Sequence, residues 1–362
     1  NGKASSANPD NGIIGSPSSY SPSLAVANFD GKIGNQCIAD TSSRGVSNTM
    51  LLKPDIAGIG TSVNSSGVGG KYGTMSGTSM ASPNVAGALI AIEQYCMQTP
   101  QIAALLPAER KKAAKNMAIK LIMSTAEILK QTNSTQPLID GIAYSPRAQG
   151  AGIANLDRAI KSKAYIQTNN VDNRPKIDGQ AMAKSDGIYQ FEFDIVNMST
   201  TPLQYNVEVE TITEFISNKL MSGLDRKLSP TLQISTNGGS TFDALLPATV
   251  VNVAAEATQK VVVKISLTPG DKTILSECPN GMFVEGFVKL KQVVGSESNL
   301  SMPFVAYYGQ WTTAGDVLDA TYYDVKNGVK NAVVRPTTLY AHYQNDNVPI
   351  GDYLYTLKST EK

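Results

Sequence analysis

Tyr72-Gly73-Thr74-Met75-Ser76-Gly77-Thr78-Ser79-Met80-Ala81-Ser82-Pro83-Asn84-Val85-Ala86-Gly87 is the stretch on which the fold of this chain turns. Taken residue by residue, it is a glycine-rich turn that delivers a hydroxyl residue to the start of an apolar helix. Gly77 lets the backbone turn tightly and approach its neighbours closely. After Pro83 the run Val85, Ala86, Ala88, Leu89, Ile90, Ala91 and Ile92 is too long for a strand and predicts a buried helix, even with Gly87 inside it. A serine at such a helix start has its amide among the unpaired donors, where amide and helix dipole both favour developing negative charge. An acyl-transfer oxyanion would be stabilised at that position. The plainer role of a serine there is an N-cap, and a lone Gly-Thr-Ser would carry no more.

Around this stretch, residues 1–163 read as α/β. Leu24-Ala25-Val26-Ala27 and Asp55-Ile56-Ala57 are short apolar runs between Gly, Pro and Ser turns, the pattern of buried strands in a parallel sheet. From Pro107 to about Thr125, Ala114, Met117, Ala118, Leu121, Ile122 and Thr125 recur at helical spacing, with Glu109, Arg110, Lys111, Lys115 and Lys120 largely on the other faces. Pro107 can begin this helix without losing an internal hydrogen bond. A short helix is expected over Ala154 to Lys161.

The whole segment around Ser79 resembles the serine motif of the subtilisin-like (subtilase) peptidases, Gly-Thr-Ser-Met-Ala-x-Pro-x-Val-Ala-Gly, with Asn84 where many members carry histidine. The resemblance implies Ser79 as nucleophile and Ser76 and Ser82 as local structure. Three further segments extend it in order. Lys53-Pro54-Asp55-Ile56-Ala57-Gly58 resembles the loop ahead of the serine, without its usual proline before the second glycine, since Ile59 and Gly60 follow. Thr41-Ser42-Ser43-Arg44-Gly45 is similar to the preceding Phe-Ser-x-x-Gly turn, with threonine for phenylalanine. Asn11-Gly12-Ile13-Ile14-Gly15-Ser16-Pro17, followed by Leu24 to Ala27, resembles the loop and strand beyond the oxyanion-hole asparagine.

More narrowly, the chain resembles the C5a-peptidase and lactocepin-type cell-envelope proteinases of Gram-positive bacteria. Ala143 to Gly152 looks like the end of their catalytic domain. Asn280-Gly281-Met282-Phe283-Val284-Glu285-Gly286-Phe287-Val288 and Ser301-Met302-Pro303-Phe304-Val305 look like strands of their first fibronectin-like domain. Many of these enzymes insert a protease-associated domain between the regions of Phe29 and Ser43, where this chain has only a short connection. The resemblance implies polypeptide substrates and a secreted, cell-wall-associated setting. It allows a structural calcium ion, for which the sequence shows no site, and implies no other cofactor.

From residue 164 the pattern shifts to period two. Tyr189, Phe191, Phe193 and Ile195 form one alternating strand, Leu203, Tyr205, Val207 and Val209 a second, and Val261, Val263, Ile265 and Leu267 a third. A fibronectin-like all-β sandwich is expected over 164–310, and a further β region or extension over 311–362. The 41% hydrophobic and 17% charged content is that of a folding chain, and 362 residues call for more than one core. With 31 basic against 30 acidic residues and no charge block, no footprint for nucleic acid or an anionic membrane is present. No apolar run reaches membrane-spanning length. Cys37, Cys96 and Cys278 form neither a disulfide framework nor a zinc pattern.

A serine hydroxyl needs a base to take its proton and a carboxylate to orient that base. In the subtilase order both precede the serine, yet the single histidine, His342, lies far downstream. Asp55 belongs to a loop where the family carries a structural aspartate, and Asp40 has no motif around it, so neither is assigned to a triad. Asn1 is the sole upstream candidate for the oxyanion asparagine and stays unassigned. Two explanations remain open. The Asp and His are supplied by an N-terminal part of the precursor outside this chain, which alone is then inactive, or the chain is a degenerate relic serving adhesion or scaffolding. Either way an incomplete sheet and exposed apolar surface are expected unless a partner fills it.

Overall fold

The computed structural model describes residues 14–32, 36–46, 50–131, 141–170, 173–179, 182–217, 220–278 and 281–309, and the backbone of Tyr340–Tyr343 and Asp346–Pro349. In the first half, strands β1 (Val26–Asp30), β2 (Cys37–Ile38) and β3 (Ile56–Ile59) precede a hairpin of β4 (Val63–Ser66) and β5 (Tyr72–Met75). Helices α1 (Thr78–Gln98), α2 (Pro100–Ala103), α3 (Pro107–Ser124), α4 (Pro146–Gln149) and α5 (Leu156–Lys161) follow. In the second half the strands are β6 (Ala164–Gln167), β7 (Ala183–Lys184), β8 (Ile188–Asn197), β9 (Leu203–Ser217), β10 (Leu220–Lys227), β11 (Thr231–Ser235), β12 (Asp243–Ala244), β13 (Val250–Val253) and β14 (Thr258–Ser266). Helix α6 (Pro269–Leu275), then β15 (Met282–Gln292) and β16 (Leu300–Tyr308), complete it, and β17 (Tyr340–Tyr343) pairs with β18 (Asp346–Pro349).

β1 and β3 run parallel with Val26 opposite Ile56 and Ala27 opposite Ala57, and β2 closes the sheet antiparallel to β1. Their small apolar residues let α1 lie directly on them. A Cβ on Gly58 would stand 2.6 Å from Val85 Cγ2 and 2.9 Å from the Ala81 carbonyl, so only glycine admits the helix at this distance. α1 turns Ala81, Val85, Ile92 and Cys96 inward, and α3 meets that core with Ala114, Met117, Ala118, Leu121 and Ile122. Those five α3 residues are the ones its periodicity marks.

The predicted helix after Pro83 differs from the observed one in two respects. It begins earlier, at Thr78, with Pro83 inside it, because a proline early in a helix removes only one internal bond. It is also buried on one side only: Ala86 and Gly87 are exposed and Ile90 is 69% exposed. Among the described residues nothing covers that outer face. The expected exposed apolar surface is therefore present.

The second half is a two-sheet sandwich. One sheet runs β10-β9-β15-β16-β7 with β13 on β9, the other β12-β11-β14-β8-β6. The alternation of β8 places Tyr189, Phe193 and Ile195 in the shared core with Tyr205, Val263 and Phe304, and Phe191 stacks on Phe304 at 5.3 Å.

Two buried polar joints tie the halves together. At one, the Arg147 guanidinium grips Glu285 through two 3.0 Å bonds, reaches Glu214 at 3.0 Å, and stacks 3.9 Å over the Phe283 ring. At the other, the connecting segment 173–179 runs along β16, with Ile177 bridging Phe304, and Asp178 accepts from the Leu52 amide at 2.7 Å.

Candidate active site

Ser79 is the second residue of α1. Gly77, the residue before the helix, has φ 148°, a conformation glycine adopts without strain, and no side chain caps the helix. The Met80 and Ala81 amides both donate to the Gly77 carbonyl. Among the described residues the Thr78 and Ser79 amides have no backbone acceptor, as expected for the first turn of a helix. Pro83 has no N–H to offer the Ser79 carbonyl four residues back. The Ser79 side chain is exposed, and among the described residues no group hydrogen-bonds its Oγ. An unengaged hydroxyl thus sits beside free amides at the positive end of a helix of 21 residues.

The position of this helix end is set by backbone contact. The Gly77 amide donates to the Gly60 carbonyl at 2.8 Å, where β3 ends. A Cβ on Gly60 would lie 2.5 Å from Asn28 Oδ1, 2.6 Å from the Gly77 carbonyl oxygen and 2.9 Å from Ala81 Cβ. The buried Asn28 side chain wedges between β1 and this junction and accepts from the Thr61 hydroxyl. Sequence reasoning passes over Asn28, whose one signal is a polar residue in the middle of an apolar strand. Ser76 accepts from the Ser62 amide at 2.8 Å and secures the turn, the local role expected of it.

The scattered motifs converge here. Gly15, Ser16, Ala25, Val26, Ser42, Ser43, Pro54 and Thr78 line one cavity of about 190 Å³, and Thr78 precedes Ser79 in the chain. Residues 1–13, including Asn1 and the start of the Asn11 motif, lie outside the described residues. Asp55 is buried and ion-paired. Its carboxylate accepts from the Ala25 amide at 2.8 Å and pairs with Lys53 at 2.7 Å, Lys176 at 3.1 Å and Arg174 at 3.3 Å. Burial opposes its ionisation, but Lys176, Lys53 and Arg174 outweigh that and hold its pKa below the usual value. Asp40 is exposed in a turn after β2. His342 sits in β17, its backbone paired with Asn347. The described residues therefore bring a hydroxyl and amide donors together and bring no histidine to them.

Residues 1–152 match the subtilase family, and residues 181–305 match an Fn3-like domain. The chain is 27% identical over 288 residues to the C5a peptidase of Streptococcus pyogenes serotype M1, covering 79% of this chain and 22% of that protein. It is 25% identical over 297 residues to the PII-type proteinase of Lactococcus lactis subsp. cremoris, covering 78% of this chain and 14% of the relative. The chain thus spans about a fifth of the length of the streptococcal relative. Among solved structures, the prenylagaramide maturation protease PagA aligns at 18% identity and a TM-score of 0.29, over 42% of this chain and 46% of its own.

Proposed function

We propose that this chain, a subtilase-family segment joined to an Fn3-like domain, supplies the nucleophile Ser79 of a serine endopeptidase that cleaves protein substrates. The observation that carries the reading is the unengaged Ser79 hydroxyl at the open start of α1, inside the subtilase-matched residues.

Ser79 Oγ attacks the scissile carbonyl, and a histidine from an N-terminal part of the precursor takes its proton, oriented by an aspartate from the same part. The oxyanion that forms lies at the helix start, where the Ser79 amide donates to it and an asparagine of that N-terminal part gives the second bond. The acyl-enzyme is then released by water.

The outer face of α1 supports the two-part arrangement. Glu93 is the only charged residue in this 21-residue helix, and apolar Ala86, Ile90 and Met97 are exposed on it. The exposed Ile90 side would be covered by the missing part of the catalytic core.

A fluorophosphonate probe applied to the full-length or co-assembled protein tests the proposal. Ser79 should label and Ser79→Ala should not. An intact protein whose Ser79 stays unlabelled would return the chain to the scaffold reading. Mass spectrometry of an active preparation should find a histidine-containing fragment travelling with this chain, and finding this chain alone would exclude the two-part site.

A further inference from the structure

We propose that Arg174 and Lys176, on the segment leading into the β-sandwich, are positioning residues for Ser79. This rests on the reading of Ser79 as the nucleophile.

The first observation is the convergence of three buried cations on one carboxylate. Lys53 already neutralises Asp55 at 2.7 Å with both side chains fully buried. Arg174 and Lys176, 5% and 3% exposed, bring two more positive charges to the same carboxylate, and Lys176 also pairs with Asp178 at 3.3 Å. Lys53 reaches only Oδ2, and the buried Oδ1 is faced by Arg174 and Lys176, so the second oxygen depends on those two cations for its charge compensation. Arg174 and Lys176 also span separate pieces of chain. Arg174 donates to the Pro22 and Ser23 carbonyls at 2.7 and 2.9 Å, and Lys176 to the Leu52 carbonyl at 2.9 Å.

The second observation is what Asp55 holds. Its side chain accepts from the Ala25 amide and its own amide donates to the Ala25 carbonyl, so it clips the starts of β1 and β3 together. β3 then runs four residues to Gly60, whose carbonyl receives the Gly77 amide two residues before Ser79. The contacts at Gly58 and Gly60 are too close for a Cβ, so β3 and α1 cannot slide independently. A shift of β3 at its anchored end is therefore passed to the helix start that carries Ser79. The sandwich, through Arg174 and Lys176, fixes that end.

The test uses the full-length protein and saturable fluorophosphonate labelling, which separates the maximal inactivation rate from the half-saturating concentration. Arg174→Gln/Lys176→Gln should lower the maximal rate at least tenfold, leave the half-saturating concentration within twofold, and each single variant should lose threefold or more. Arg174→Lys should restore most of the rate. Arg147→Met, which breaks the other joint, should lower the urea midpoint without lowering the maximal rate. If the double variant does not fold, the single variants carry the test. Folded variants that label at the wild-type rate, or an Arg147→Met variant equally slowed, would overturn the proposal. A folded wild-type protein that fails to label would instead refute the nucleophile assignment.

Discussion

The Gly77 amide donates to the Gly60 carbonyl at 2.8 Å, and the two glycines are so close that neither side has room for a methyl group at Gly60. This single backbone bond joins the end of β3 to the start of α1 and so locates Ser79. Gly60→Ala would press a Cβ against the Gly77 carbonyl and Asn28. It should cost about 1–3 kcal/mol, the usual range for overpacking a tight interior. Urea unfolding measures that loss, and fluorophosphonate labelling should fall further than the unfolded fraction explains.

Ile90 separates stability from assembly. It is 69% exposed on the outer face of α1, so Ile90→Lys should change the stability of this chain by no more than about 0.5 kcal/mol. Co-assembly with the proposed N-terminal part should nevertheless fail, because a lysine would then be buried without a partner. Urea unfolding of the chain and size-exclusion chromatography of the mixture give the two readings. Normal assembly of the lysine variant would mean that this face stays in water.

Arg147 should be among the costliest side chains to remove. Its guanidinium is the bidentate partner of the fully buried Glu285 and also holds Glu214. Arg147→Met keeps much of the stacking on Phe283 but strands buried carboxylate charge, at a cost of about 3–5 kcal/mol. Denaturant unfolding followed separately in the two halves should show the joint opening first.

Asp225 gives that joint a pH dependence. Burial, and then the charge of Glu285, push its carboxyl up to about 8 from an ordinary 3.8, against the opposing Ser145 amide, Arg147 and Arg44. Because the folded pKa is raised, the favourable contribution is complete below pH 4 and is lost as pH rises through about 8. Asp225→Asn keeps an oxygen that can accept from the Ser145 amide, 2.9 Å from the carboxylate now, and has no proton to lose. It should flatten the stability profile across that window, most visibly near neutral pH. Urea midpoints taken from pH 5 to 9 check this, and an unchanged slope would locate the titration elsewhere.

Much of the scaffold is legible in the residue order because it depends on local periodicity. Ala114, Met117, Ala118, Leu121 and Ile122 mark their helix face at three-to-four-residue spacing, and Tyr189, Phe193 and Ile195 mark their strand face at every second residue. The full burial of Asp55 fits the structural role its loop implies, but its partners are invisible, since Arg174 and Lys176 lie well over a hundred residues away with no motif around them. Asn28 is hidden for a related reason. A polar residue in a strand can face water or a packed junction, and only the approach of Gly60 and Gly77 decides which.

The sequence by itself determined the subtilase-like serine motif around Ser79, the α/β character of the first half and the sandwich of the second. Spacing and turn chemistry act within a few residues and leave their record in the chain. Only the tertiary structure decided that the motifs at Ser16, Ser42 and Pro54 meet beside Thr78, that α1 presents a bare apolar side, and that cations from the sandwich segment hold the strand behind Ser79. Those features arise from charge pairing and close packing between distant segments, whose energies depend on separation in space and are silent on separation along the chain.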